Sequence, residues 1–209
     1  MKVLIADDHA VVREGVKHIL NENFKGVVVG EAATGQEVLH QVRERAWDVV
    51  ILDLTMPDRS GLDILGDLKV AHPDMPILVL SMHSEEQYAV RVLKAGASGY
   101  IIKLSASDEL VNAIHKVMAG GKYVSASLAE KLAFYLDRGS QGALHETLSD
   151  REFQVLVLIA SGKTVSQIAR ELSRSVNTVS THRSRILEKL NLKTTTELIR
   201  YAIEHKLIE

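Results

Sequence analysis

The chain has 209 residues, a net charge of −2 at pH 7 and no cysteine. This length is sufficient for two domains with hydrophobic cores, and the missing cysteine excludes disulfides and thiolate metal sites. Because no signal peptide is visible and no apolar run approaches the roughly 20 residues that cross a bilayer, we expect a cytoplasmic protein with no membrane partner.

Charge is distributed unevenly along the sequence. Residues 1–146 carry 15 Lys and Arg against 20 Asp and Glu, whereas residues 147–209 carry 10 against 7. An acidic first part joined to a basic second part suggests that the second part meets a polyanion. The excess of three positive charges is small, so other features must decide this question.

Apolar runs alternate regularly with helical patterns over about the first 120 residues. This alternation predicts an α/β fold, a doubly wound, five-stranded parallel sheet with helices on both faces. Ser105 and Ser107 are candidate N-caps of the last helix in this part. The predicted strands are 2–6, 27–32, 48–52, 76–80 and 99–103, and the predicted helices are 10–22, 35–46, 60–71, 85–95 and 107–119.

Polar side chains stand where four of these strands end. They are Asp7, Asp8, Asp53, Ser81 and Lys103. Because parallel strands share one carboxyl edge, we expect the five side chains to converge in a crevice there. Clustered carboxylates suit Mg²⁺, an ammonium and a hydroxyl bind phosphate oxygens, and an aspartate can accept a phosphoryl group. Taken singly, each residue has a plainer reading, and Asp8 could simply cap the following helix.

Four segments around these residues resemble the receiver domains of two-component response regulators. They are LIADDH at 4–9, VVILDLTMPDRSGLD at 49–63, VLSMHS at 79–84 and AGASGYIIK at 95–103. The resemblance implies a flavodoxin-like receiver domain over 1–122. It also implies that Asp53 is the phosphoacceptor and that Asp8, Asp53 and the backbone carbonyl of Thr55 are Mg²⁺ ligands, with Asp7 acting through water. Lys103 would contact a phosphate oxygen, and Ser81 and Tyr100 would form a switch pair. Thr55 and His83 would control dephosphorylation.

Two features of this region bear on the resemblance. Leu104 follows Lys103 where many receivers have proline, and a non-proline cis bond costs about 3–4 kcal/mol, which leaves the loop geometry open. A competing class is the haloacid dehalogenase phosphatases, which place a second Asp two residues after the nucleophile. That position is Thr55 here, so we expect no enzyme, and at most self-phosphorylation with Mg²⁺ and autodephosphorylation.

The second half of the sequence has only helical patterns. We expect a linker over 123–146, with a further helix at 125–137 and a flexible stretch at 138–146, and then a small all-α domain over 147–209. Ser149 and Glu152 have the spacing of a capping box. The predicted helices are 148–161, 165–172, 177–190 and 195–205, with a short turn at 173–175.

A short turn between two helices is typical of a helix-turn-helix, whose second helix can enter the DNA major groove. This four-helix region resembles the LuxR-type helix-turn-helix of the NarL/FixJ response regulators. It departs at Arg174, where apolar residues are frequent, and at Ser180, where lysine is frequent. The matching segments are LSDRE at 148–152, LIASGKT at 158–164, IARELS at 168–173, NTVSTHRSRILEKLNL at 177–192 and TTELIRYAI at 195–203.

The third and fourth helices of this domain supply the candidate contacts. Short hydroxyls near the start of the third helix are placed to read base edges, and its other polar side chains are placed for phosphates. An apolar stripe on the fourth helix is either domain core or a dimer seam, and the resemblance adds dimerisation. The base readers are Ser180, Thr181 and Ser184; the phosphate contacts are Thr178, Arg183, Arg185 and Lys189, with His182 as either a phosphate contact or a packing residue; the stripe is Leu198, Ile199, Ala202 and Ile203.

Together the two resemblances imply a transcriptional regulator controlled by phosphorylation. The implied partners are a cognate histidine kinase, double-stranded promoter DNA, a second copy of the chain when phosphorylated, and RNA polymerase as a further candidate. An alternative is a receiver that controls a protein partner instead of DNA.

Overall fold

The computed structural model describes residues 1–82, 85–126, 128–130, 144–172, 174–205 and 207–208. They form two compact units, one within Met1–Leu132 and one within Ala133–Glu209. Each unit has its own core and is described separately.

A five-stranded parallel sheet forms the centre of the first unit, which confirms the predicted α/β fold. The strand order is β2-β1-β3-β4-β5, the flavodoxin-like order, in which successive strands are added first on one side of β1 and then, from β3 onward, on the other. The inner strands are buried on both faces, as their continuous apolar sequences predict. The strands are β1 Lys2–Ala6, β2 Val28–Ala32, β3 Val49–Leu52, β4 Ile77–Ser81 and β5 Gly99–Ile102.

Helices cover both faces of this sheet. Alternate strand residues such as Val3 and Ile5 join one apolar cluster with α1 and α5. Since side chains alternate along a strand, Leu4 and Val50 point to the opposite face, where α2 and α3 contact each other. The helices are α1 Ala10–Asn23, α2 Gly35–Glu44, α3 Gly61–Ala71, α4 Glu85–Lys94 and α5 Ala106–Met118, and a short 3-10 helix, Lys103–Ser105, links β5 to α5.

The start of α5 differs from the prediction. Ser105 occupies the N-cap position, but its hydroxyl donates to the carbonyl of Ile102 over 3.1 Å and makes no capping bond. The hydroxyl of Ser107 donates to the adjacent Asp108. Neither serine caps the helix. The chain enters α5 through a 3-10 turn and not through an extended residue, and the Ser105 hydroxyl is already bonded to the Ile102 carbonyl of that turn.

The chain after α5 first returns to the sheet. The N–H of Tyr123 donates to the carbonyl of Ser98 over 2.8 Å, which places Tyr123 beside β5. The helix expected over 125–137 lies largely outside the described residues, as does most of the expected flexible stretch over 138–146. Its last residues instead begin a 3-10 helix, Leu144–Thr147, in which the N–H of His145 donates to the Tyr201 hydroxyl.

Short helices make up the described part of the second unit. As predicted, Ser149 and Glu152 form a capping box at the start of the first. The turn after this helix passes through Gly162 at φ +85°, a conformation that glycine adopts without a steric penalty. The helices are α6 Asp150–Ala160, α7 Val165–Glu171, α8 Val176–Lys189 and α9 Thr195–Glu204.

The core of this unit lies where α6 packs against α8 and α9. Phe153, Leu156 and Ile186 are almost completely buried there. Across the described parts of both units, no helix has the length and apolar character needed to cross a membrane.

Candidate functional site

Three of the strand-end side chains meet at the carboxyl edge of the sheet. Asp7 and Asp53 follow the neighbouring strands β1 and β3, and each is 2% exposed. The Lys103 ammonium lies 2.7 Å from Oδ2 of Asp7 and 2.8 Å from Oδ2 of Asp53. The predicted convergence therefore holds for these residues, and a buried lysine bridges two buried carboxylates.

Asp8 lies at the rim of the same crevice. The N-cap position of α1 is His9, so Asp8 is not the capping residue that its sequence position also allowed. Ligand atoms of Asp7, Asp8, His9 and Asp53 all lie within 4.8 Å of one another. Nδ1 of His9 is 2.7 Å from Oδ1 of Asp8. Sequence reasoning missed His9, whose only signal was its place directly after two aspartates.

These donors fit a hard divalent cation. Among the described residues, the carboxylates of Asp7, Asp8 and Asp53 cluster around the ammonium of Lys103, so the crevice retains excess negative charge. Mg²⁺ favours carboxylate oxygens in an octahedral arrangement with water. The backbone N–H of Thr55 donates to the Asp53 carboxylate, which places the Thr55 main chain beside the acceptor group.

The charge state of Asp53 reflects competing forces. Burial raises the pKa of its carboxyl, attraction and a hydrogen bond from Lys103 lower it, and repulsion by Asp7 raises it again, with a net pKa of about 6. For Lys103, burial lowers the pKa, but the two carboxylates outweigh it and raise the pKa above its usual value. Lys103 therefore keeps its positive charge in the pocket. The carboxyl of Asp53, with a pKa of about 6, populates both of its protonation states near that pH.

Ser81, the last residue of β4, and Tyr100, the second residue of β5, are completely buried. Their side chains share a hydrogen bond, and burial above all raises the pKa of Tyr100, with Glu85 and Asp53 acting in the same direction. The tyrosine therefore stays neutral and is enclosed beside Ser81.

Two neighbouring positions complete this region. The described residues contain no cis peptide bond, so the bond between Lys103 and Leu104 is trans, and Leu104 is 83% exposed. His83, the expected dephosphorylation residue, lies outside the described residues.

Asp58 has a role that sequence reasoning missed. Its carboxylate accepts hydrogen bonds from the backbone N–H groups of Gly35 at 2.7 Å and Gln36 at 2.9 Å. Although burial opposes it, these bonds lower the pKa of Asp58. An anion at the positive end of α2 is stabilised by the helix dipole. The loop that follows Asp53 is thereby fastened to α2.

In the second unit, α8 presents polar side chains to solvent. Val179 and Ile186 face the core, whereas Thr181, Ser184 and Arg185 are exposed. Thr178 and Ser180 are half-buried near the start of the helix. The outer side of α8 thus offers several small hydroxyls and the exposed guanidinium of Arg185.

Other expected phosphate contacts are engaged within the domain. Arg183 donates to Oγ1 of Thr195 through two nitrogens, at 2.6 and 2.9 Å. Nζ of Lys189 lies 2.6 Å from Oε2 of Glu152, a residue 3% exposed. That ion pair joins α6 to α8 and engages the ammonium of Lys189 within the domain.

His182 also turns towards the protein. Its Nδ1 is enclosed and has no hydrogen-bond partner among the described residues. Burial and the nearby Arg151 lower its pKa, so the ring is neutral at pH 7. We therefore place His182 in the packing of the domain, which was one of its two expected roles.

The expected dimer seam on α9 needs correction. Leu198 and Ala202 are fully buried inside the domain, where α9 packs on α6. Four short helices offer little apolar surface, so the inner half of the stripe is used for the core. Ile199 is half-buried and Ile203 is 58% exposed, which leaves these two on the outer side of α9.

The chain thus joins a flavodoxin-like α/β domain, with an acidic pocket at its sheet edge, to a helix-turn-helix domain, and comparison with known families agrees. Residues 3–115 match the response regulator receiver domain, and residues 146–202 match the bacterial regulatory proteins of the luxR family. The chain belongs to the two-component response regulators of the NarL/FixJ class. It is a response regulator with a LuxR-type DNA-binding domain and a transcription regulator.

Two bacterial response-regulator relatives match over all or nearly all of their length. The chain is 42% identical to the oxygen regulatory protein NreC of Staphylococcus epidermidis, with both chains fully covered. It is 36% identical to the response regulator UvrY of Escherichia coli K12, covering 99% of this chain and 95% of the relative.

Solved structures of RcsB are also similar. RcsB of Salmonella enterica serovar Typhimurium bound to promoter rprA with the phosphomimetic BeF3⁻ has a TM-score of 0.62 at 29% identity, covering 96% of this chain and 98% of RcsB. A structure of two RcsB dimers bound to two parallel DNAs has a TM-score of 0.59 at 28% identity, covering 100% and 99%.

Proposed function

We propose that this response regulator is switched by transfer of a phosphoryl group from a histidine kinase to Asp53. The observation that carries the proposal is the pocket itself, where the ammonium of Lys103 lies 2.7–2.8 Å from the carboxylates of Asp7 and Asp53. Asp53 follows β3, the central strand of the sheet, with the carboxylate of Asp7 and the ammonium of Lys103 beside it. Asp7 has the same kinds of neighbour, so the choice of Asp53 rests on the resemblance of its segment to receiver domains.

The transfer forms one bond and breaks another. A carboxylate oxygen of Asp53 attacks phosphorus, the bond from phosphorus to the donor imidazole nitrogen breaks, and that nitrogen keeps the electron pair. Lys103 then contacts a phosphate oxygen as a point charge. We expect Asp8, Asp53 and the Thr55 carbonyl to hold Mg²⁺, with Asp7 acting through water. When bound, the cation would offset the negative charge of the carboxylates and the phosphoryl group.

Ser81 and Tyr100 are proposed to transmit the phosphorylation state of Asp53 to the rest of the protein. Their side chains are buried and share a hydrogen bond, and the charge of Asp53 is close enough to raise the pKa of Tyr100. A phosphoryl oxygen that recruits the Ser81 hydroxyl would break this bond and release Tyr100 to a second position. Such a two-position element can shift the population of whole-chain states.

The output of the switch is proposed to be binding to double-stranded promoter DNA through α8. Thr181, Ser184 and Ser180 would read base edges permissively, because a hydroxyl can meet several bases. Arg185 and Thr178 would contact phosphates, and Arg183 could do so beside its bond to Thr195. The RcsB complexes with promoter DNA support this assignment for a similar chain.

Phosphorylation is further proposed to favour a dimer. One module with a charge of about +3 should bind weakly, whereas a two-fold pair reads two half-sites about one helical turn apart. Ile199 and Ile203 on the outer side of α9 are the residues now proposed for the seam. We also propose contact with RNA polymerase at the promoter.

Phosphorylation tests the central assignment. Acetyl phosphate with Mg²⁺ should add one phosphate to the wild type and none to Asp53→Asn, as measured by intact-protein mass. Asp58→Asn is the matched control, because Asp58 follows the same strand but holds α2, and it should still be labelled. Stoichiometric labelling of the Asp53→Asn variant would reject the proposal.

Mobility shifts with genomic fragments test the output. The isolated fragment 147–209 should bind DNA without phosphorylation, whereas the full chain should bind and sediment as a dimer only after acetyl phosphate treatment. Phosphorylated protein that stays monomeric on an inverted-repeat site would contradict the proposed pairing, and capture of a protein without any DNA binding would favour the alternative of a protein partner.

A further inference from the structure

Arg13, in the first turn of α1, connects the acidic loop, which contains Asp7 and Asp8, to the edge strand β2. Its Nη1 donates to the backbone carbonyl of Asp7 over 2.7 Å, and its Nε lies 3.2 Å from Oε2 of Glu31. The side chain is only 16% exposed. The guanidinium is thus held by the Asp7 carbonyl and by Glu31, and it contacts the acidic loop directly.

The main chain of Asp7 is fixed at both of its polar groups. Its N–H donates to the carbonyl of Ala32 over 3.1 Å, at the end of β2, and its carbonyl accepts from Arg13. The Asp7 carbonyl and the Asp8 N–H belong to one planar peptide unit. Arg13 therefore sets the plane from which the side chain of Asp8 leaves the backbone.

Asp8 depends on this support more than Asp7 does. Its side chain is 33% exposed and contacts His9, which is itself 63% exposed. The carboxylate of Asp7, in contrast, is buried against Lys103. A change in the Asp7–Asp8 peptide plane would consequently turn the carboxylate of Asp8 away from Asp53 while leaving the ion pairs of Lys103 in place.

Glu31 keeps the charge of Arg13 from disturbing the site. It also pairs with Lys17, whose Nζ lies 2.8 Å from Oε1. The hydrogen bond from Lys17 is the main cause that lowers the pKa of Glu31, and Arg13 acts in the same direction, while burial opposes both. A guanidinium paired with Glu31 is directed towards β2 and supports the loop through the Asp7 carbonyl, not through the carboxylates that would bind a cation.

We propose that Arg13 is a positioning residue of the cation site, which directs the carboxylate of Asp8 by holding the Asp7 carbonyl. The inference rests on the Mg²⁺ site of the proposed function. Removing a group that orients a metal ligand typically lowers metal affinity by about 10–100-fold. We expect Arg13→Met to weaken Mg²⁺ binding by about tenfold.

The test compares Mg²⁺ binding by calorimetric titration in the wild type, Arg13→Met, Arg13→Lys and Lys17→Met, with urea unfolding of each protein. Lys17→Met is the matched control, because Lys17 also pairs with Glu31 but has no contact with the Asp7 carbonyl among those described. Lys17→Met should bind Mg²⁺ like the wild type. Arg13→Lys should lie between, since an ammonium lacks the fork that serves two acceptors at once.

Equal Mg²⁺ affinity of Arg13→Met and Lys17→Met would overturn the inference while leaving the proposed function intact. If Arg13→Met does not fold, the comparison passes to Arg13→Lys against Lys17→Met, and equal affinity there overturns it as well. A wild type that neither binds Mg²⁺ nor accepts phosphate from acetyl phosphate would overturn both proposals together.

Discussion

The elevated pKa of Asp53 makes the stability of the first unit depend on pH in a defined direction. Burial raises this pKa from 3.8 to about 6 in spite of Lys103. At about 1.36 kcal/mol per unit, the shift corresponds to about 3 kcal/mol. Because the folded pKa lies above the unfolded one, the folded state binds more protons in this window, and stability falls as pH rises through it.

Asp53→Asn removes the titrating group while keeping its shape. The free energy of unfolding of this variant, relative to the wild type, should therefore grow by about 3 kcal/mol between about pH 3.5 and pH 7 in the absence of divalent cations. Saturating Mg²⁺ should reduce the difference, because a ligand that binds the ionised site at 100 times its Kd stabilises the wild type by about 2.7 kcal/mol.

Urea unfolding followed by circular dichroism across this pH range measures the difference directly. Asp58→Asn is the control of opposite sign. The pKa of Asp58 is lowered by bonds from Gly35 and Gln36, although burial opposes them, so its stabilisation is present above the unfolded pKa and is lost as pH falls. A pH-independent difference for Asp53→Asn, or one that grows towards acid, would refute the reasoning about burial.

The remaining predictions concern the switch and the second unit. Ser81→Ala should still accept phosphate but lose most of the phosphorylation-dependent gain in DNA affinity, since it breaks the bond to Tyr100; unchanged stimulation in mobility shifts would contradict this. Leu198→Ala should cost about 2–5 kcal/mol of stability by urea unfolding, whereas Ile203→Ser should weaken dimerisation in sedimentation at nearly unchanged stability. His83→Ala should change the rate of dephosphorylation and leave the DNA affinity of the phosphorylated form intact. Arg185→Gln should lower the salt dependence of DNA binding by about one unit of slope.

The sequence alone was sufficient to locate most of the acidic pocket at the carboxyl edge of the sheet. Residues that follow parallel strands are brought to one edge by the topology itself, so Asp7, Asp53 and Lys103 converge wherever the predicted strands form. The same applies to the capping box at Ser149, because its two bonds join residues only three apart. Local periodicity and short spacings carry such information directly.

Contacts between distant elements were decided by the tertiary structure. A helical stripe on α9 has the same periodicity whether it faces a core or a second copy, and only the packing of α6 shows that Leu198 and Ala202 face inward. Likewise, a lysine on a polar helix gives no sign that its partner will be a buried glutamate 37 residues away, as Lys189 and Glu152 are.

In the acidic loop, some features follow from the sequence and others only from the tertiary structure. Its aspartates were identifiable from their position after β1, but the support that Arg13 gives to the Asp7 carbonyl arises only when α1 folds back beside β2. The pKa of Asp53 is equally a tertiary property, since burial and the approach of Lys103 set it. Electrostatic energies depend on distance and solvent exposure in three dimensions, and neither is encoded in the spacing of residues along a chain.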